Sequence, residues 1–211
     1  VVQTIALPRA SQPHGLAFDP NGSSAYIALE ATGQLLKLNA NSGAQQGIVN
    51  VAPNIRHLAI NHDASLIMVS RFITPPAAGE STATVNTTNA GGEVLLVNPN
   101  TMALTNTVRL QHSDKSDTPT QGSGLPNYLA APAISPDGTA AWVPSKQDNI
   151  KRGMLRNGLQ LDFQNTVRAI SSRINMVTLT EDYPKRIDHD NSSVGAAAVY
   201  HPSGVYAFVA L

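Results

Sequence analysis

GLAFDPNGSSAYIAL (15–29) is two short apolar runs separated by an Asp-Pro-Asn-Gly reversal, and the same pattern returns three times in the chain. HLAINHDASLIMVS (57–70), APAISPDGTAAWVP (131–144) and AAAVYHPSGVYAFVAL (196–211) align with it so that Gly22, Ala64, Gly138 and Gly204 coincide. Pro20, His62, Pro136 and Pro202 then each stand two residues earlier. Two further runs follow each hairpin. They are QLLKLNANSG (34–43) with QGIVNV (46–51), EVLLVNPNT (93–101) with LTNTVRL (104–110), and RINMVTLTED (173–182) with YPKRID (183–188). Short runs rich in β-branched residues, punctuated by Gly, Pro, Asn and Asp, read as strands and turns. Four-strand units repeated about every 40 residues are the pattern of β-propeller blades. An immunoglobulin-like sandwich also alternates strands and turns, but it does not require four hairpins in one register.

The sequence therefore predicts an all-β propeller of four-stranded antiparallel blades, with about three and a half blades present. The expected parts are an outer strand of a preceding blade at 1–7, blades at 15–51, 57–110 and 131–188, and the first half of another at 195–211. The third blade carries an insertion at 145–170. Propellers close with about four to eight blades, so these residues are expected to be part of a larger ring of about seven or eight. The A–B and C–D reversals are tight, including Asn21-Gly22, Asp137-Gly138 and Thr180-Glu181-Asp182. The long segments 72–91, 111–127, 145–170 and 188–194 are all B–C or D–A connections. Antiparallel parity puts them at one end of the blades, which is the expected binding face.

Composition narrows the function. The 211 residues are 42% hydrophobic, which is ample for a core, and 13% charged, where about 25% is usual. Fourteen Lys and Arg balance fourteen Asp and Glu, so nothing global draws the chain to nucleic acid. No apolar run approaches the roughly 20 residues of a membrane helix, and no membrane insertion is expected. There is no cysteine, which removes disulfides, thiolate catalysis, thiolate zinc sites and haem attached through CxxCH. The polar surface is drawn from Asn, Gln, Ser and Thr, and it leans toward an extracytoplasmic setting.

At the B strands, Tyr26-Ile27-Ala28-Leu29 after the DPNG turn (19–22), with His14-Gly15-Leu16-Ala17-Phe18 before it, resembles the bacterial YVTN repeat propellers, the YncE-like family. Met68-Val69-Ser70-Arg71 and Trp142-Val143-Pro144-Ser145 keep only the apolar character of that motif. SKQDNIKRGMLRNG (145–158) with NTVRAISSRIN (165–175) resembles a stretch in large secreted or periplasmic bacterial propeller proteins. Some of those carry a cytochrome c peroxidase-like di-haem domain. The resemblance implies an extracytoplasmic protein, periplasmic or secreted, with any haem c held in a domain outside these residues.

Candidate site residues fall into two groups. Lys146, Lys151, Arg152, Arg156 and Arg168, with Arg173, face only Asp148 and Asp162 across 145–173, a local net of +4. That is a docking patch for an acidic domain or ligand, or an ordered loop whose Arg side chains satisfy carbonyls. Phe163 is the one aromatic among them, too few for nucleic acid. The second group, His14, Arg56, His57 and Arg71, stands at A- and B-strand ends near the expected channel mouth. No His spacing matches a metal site, and satisfied structural histidines are the plainer account. Asp114, Asp117 and TPTQGSG (118–124) offer oxygens for calcium but lack the pattern with a distal Glu. No catalytic constellation is recognisable, so enzymatic activity stays open. The expected function is a scaffold presenting its loop-rich face to a protein domain or small ligand. The alternative is a module of a haem-peroxidase-like or other redox enzyme whose cofactor lies elsewhere.

Overall fold

A computed structural model describes residues 4–75, 78, 91–149, 166–189 and 191–211. Strands β1 (Pro13–Phe18), β2 (Ser24–Leu29), β3 (Gln34–Asn39) and β4 (Gln45–Asn50) form one antiparallel sheet in sequence order. β5 (Ile55–Ile60), β6 (Ile67–Arg71), β7 (Glu93–Asn98) and β8 (Ala103–Arg109) form the next. The third is built on β10 (Ala133–Ile134), β11 (Ala140–Asp148), β12 (Val167–Asn175) and β13 (Thr180–Glu181). β15 (Ala197–Tyr200) and β16 (Ala207–Ala210) make a final hairpin.

The hairpin turns follow from the aligned residues. Gly22, Ala64, Gly138 and Gly204 all adopt positive φ, at 72°, 55°, 71° and 73°. Three of the four are glycine, the residue that enters this region without a Cβ penalty. In the first turn Asp19 accepts hydrogen bonds from the Ser24 N–H at 3.1 Å and the Ser23 hydroxyl at 2.8 Å. Burial works against the charge on Asp19, yet the Ser24 and Ser23 donors hold its carboxyl below the usual range.

The innermost strands lie side by side, β1 against β5, β5 against β10 and β10 against β15. A parallel bridge joins Ala131 to Ala197. Central strands are buried on both faces, which is why β6 reads as the unbroken run Ile67-Met68-Val69. Ile67 and Val69 join Tyr26, Leu35 and Leu95 between the first two sheets. Met68 points the other way, with Leu96, Val143 and Ile174 between the second and third. A side-chain period of two assigns alternate residues to different cores.

Several expectations need correction. Residues 4–7 carry no strand; Leu7 instead packs over Leu29, Leu36 and Leu38. The stretch 145–170 is not wholly an insertion, because β11 and β12 stay paired from Ser145↔Ile170 to Asp148↔Val167. The third C–D reversal falls at Asn175–Leu179, not at Thr180-Glu181-Asp182. There the Asn175 side chain accepts from the Val177 and Thr178 N–H groups, and Leu179 takes φ 55°. The expected strand 183–188 is a 3-10 turn, Tyr183–Lys185, followed by β14 (Ile187–Asp188) on β12. Pro184, lacking an N–H, cannot continue a ladder. The A strand of this sheet is split as well. β9 (Leu125–Asn127) pairs with the loop end of β11, and β10 pairs with the other end.

Candidate functional site on the loop-rich face

β1 and β5 begin, and β2 and β6 end, at the same end of the sheets. His14 on β1 and His57 on β5 meet there, their rings 4.9 Å apart and edge-to-face at 83°. Gly15 makes this approach possible, since a Cβ there would fall on the backbone of Arg56 and His57. His14 is exposed and His57 half-buried. Burial, with the nearby His14 and Arg56, pushes the His57 imidazole down to about 4, against a smaller pull from Glu30.

Arg56 is held by both oxygens of Glu30, at 2.7 and 3.0 Å, and its guanidinium lies 3.3 Å over the Phe72 ring centre. Phe72 meets Tyr128 edge-on at 4.9 Å. Lys146 then sits 3.8 Å over Tyr128 and pairs with Asp148 at 2.9 Å. Glu30, Arg56, Phe72, Tyr128, Lys146 and Asp148 thus form one stacked ladder crossing three sheets. Its two cations are both matched by carboxylates. Cation–π contacts of this kind contribute about 0.5–1 kcal/mol each at exposed sites.

The remaining expected residues are placed differently. Arg71 is buried in its own sheet, bonded to the Pro53 carbonyl at 2.8 Å and to Glu93 at 2.8 Å. It ties the sheet together. Arg168 is 5% exposed and donates to the carbonyls of Pro119 at 3.0 Å and Thr118 at 2.7 Å. That burial removes Arg168 from any docking patch and makes it a clamp on the 111–124 loop. Lys151, Arg152 and Arg156 lie outside the described residues. Asp117 accepts from the Ser123 N–H at 2.9 Å and from the Asn149 amide at 3.3 Å, closing the loop. Among the described residues, no set of three or more His, Asp or Glu is arranged to hold a metal ion.

Sequence reasoning missed the pair that organises this face. Glu181 and Arg186 are both fully buried and 2.7 Å apart. Glu181 also accepts from the Gln111 N–H at 2.6 Å, and Arg186 donates to the Gln111 carbonyl at 2.7 Å. Arg186 stacks on Tyr183 at 4.6 Å to the ring centre. Strand, 3-10 turn and loop are thereby locked together. The only sequence signal was a Glu and an Arg flanking Tyr183-Pro184.

No protein-family model and no curated protein matches the chain. Solved structures do. One titled Kuenenia stuttgartiensis Hydrazine Synthase is 13% identical, with 99% of this chain and 58% of that chain covered and a TM-score of 0.48. A structure of U3-55K is 8% identical over 93% of this chain and 45% of that one, at a TM-score of 0.59. The RRP9 WD40 repeats are 8% identical over 93% and 44%, at 0.58. The chain spans about half the length of the structures it matches. At such identities the likeness to the WD40 propellers concerns fold. The described residues form a partial β-propeller of three blades and the first hairpin of a fourth.

Proposed function

We propose that this chain is a non-catalytic propeller scaffold of an extracytoplasmic bacterial protein, of the YVTN/YncE-like kind, that presents its loop-rich face to a protein domain or small ligand. The observation that carries the reading is the locking of that face. Glu181 and Arg186 fix Gln111, and Arg168 fixes Thr118 and Pro119, so the loop is held in one shape before anything binds. Preorganisation lowers the ordering cost of association. The stacked ladder adds a half-exposed aromatic strip beside it. The neighbouring segments 145–158 and 165–175 support a place beside a haem-peroxidase-like module, through their resemblance to such proteins.

Capture from a periplasmic extract tests the reading, using the native chain, Tyr128→Ala with Lys146→Ala, and Val177→Asp. Val177 is 80% exposed at a tight C–D turn on the opposite end. The loop-face variant is expected to lose the partner while Val177→Asp keeps it. Equal capture by all three proteins would overturn the proposal.

A further inference from the structure

We propose that the two free blade faces of this chain are complementary, and that a second copy docks on them head to tail. The last hairpin of each copy then packs on the first sheet of the other. The four hairpins hold equivalent residues in register, so the contacts between blades inside the molecule show how the free faces are covered. Tyr26, Met68, Trp142 and Phe208 share one position, paired across the hairpin with Ala17, Ala59, Ala133 and Val199. Tyr26 packs on the second sheet and Met68 on the third. Trp142 points away from Val143, hence toward the last hairpin. Each is covered by the following blade: Tyr26 and Met68 are buried and Trp142 is half-buried. Phe208, with no following blade among the described residues, is 59% exposed.

The opposite faces run the same way. Phe18, Ile60, Ile134 and Tyr200 share the position that meets the preceding blade. Ile60 packs on the Tyr26 cluster, Ile134 packs on the Met68 cluster, and Tyr200 is half-buried. Phe18, with no preceding blade among the described residues, is 53% exposed. Leu16 is likewise exposed where its equivalent Leu58 is buried beside Tyr26. The free faces are thus the two halves of a contact that the molecule already makes between its own blades. A second copy brings the matching half to each. Two such contacts related by a two-fold axis close on themselves. Three blades and a hairpin from each copy give a ring of about seven, within the range propellers use. The chain also spans about half the length of the WD40 structures it matches. This inference does not rest on the loop-face reading, because assembly and partner capture are read separately.

The test is sedimentation of the native chain, Phe18→Asp, Phe208→Asp, an equimolar mixture of those two variants, and Val177→Asp as the control. Both phenylalanines are exposed, and circular dichroism establishes that the variants are folded. The native and Val177→Asp chains should form dimers that dissociate on dilution. A carboxylate at either phenylalanine spoils one half of both contacts, so each variant alone should raise the dissociation constant by about tenfold or more. The mixture should regain a one-to-one dimer, because one intact head still meets one intact tail. A contact between identical faces could not show that rescue. A native chain that stays monomeric leaves these faces to further blades or to another protein, and overturns the proposal. So does a mixture that associates no better than its separate components, or a native chain that grows past the dimer.

Discussion

Gly15 sets the closest approach of the first two blades, because a methyl there would fall on the Arg56 carbonyl and meet the His57 Cα and the Leu58 side chain. Gly15→Ala should destabilise the protein by about 1–3 kcal/mol, read as a lower urea midpoint. The buried pair is a larger liability. Arg186→Met leaves the Glu181 carboxyl in a fully buried place without its partner guanidinium. Removing one member of such a pair costs about 3–5 kcal/mol. A midpoint within error of the native one would show that the pair is dispensable. His57 gives the acid side of the stability profile. Its folded value of about 4 lies below the ordinary 6.5, so the unfolded chain binds the proton more readily. The His57 contribution is fully present above pH 6.5 and is lost progressively as pH falls from 6.5 toward 4. His57→Gln should flatten the urea-midpoint profile across that window.

At the scale of elements, the third sheet departs most from the repeat. Its A and D positions are each broken in two, yet the central strands run longer than in the other blades. Arg168, projecting from β12, then reaches the 111–124 loop. Arg168→Met should therefore speed backbone amide exchange around Thr118–Gln121, where the Thr118 N–H donates to Gln121 at 2.8 Å, and leave β5–β8 unchanged. Uniform protection in both proteins would show that the loop holds itself. The strand pattern was legible because turn residues and apolar runs are local signals. The broken strands were not, because apolar content in 173–188 does not reveal where Pro184 interrupts pairing or where Asn175 caps a turn.

For the molecule as a whole, the two ends of the arc expose apolar blade faces. Leu16, Phe18 and Ile48 are uncovered on the first sheet, and Val199, Tyr206 and Phe208 on the last hairpin. In the interior, equivalent faces are sealed by the next sheet, as Tyr26 and Met68 are. Exposed apolar area of this kind drives association and binds hydrophobic dyes. Phe18→Ser combined with Phe208→Ser should lower both dye fluorescence and concentration-dependent association in sedimentation. No change in either would show that these faces do not associate.

The sequence by itself determined the hairpin repeat, because Gly22, Ala64, Gly138 and Gly204 mark one turn conformation wherever they recur. It also determined which strands are central, because burial on both faces leaves unbroken apolar runs such as Ile67-Met68-Val69. The partners of the charged residues were decided only in three dimensions. No sequence spacing names the partners of Arg71, Arg168 and Lys146, each of which is engaged by carbonyls, a carboxylate or a ring from another segment, Arg168 as the ordered-loop reading expected. The meeting of His14 with His57, and of Glu181 with Gln111, likewise depends on which blades abut. Backbone turns are governed by neighbouring residues, whereas charge pairing depends on the folded path of the whole chain.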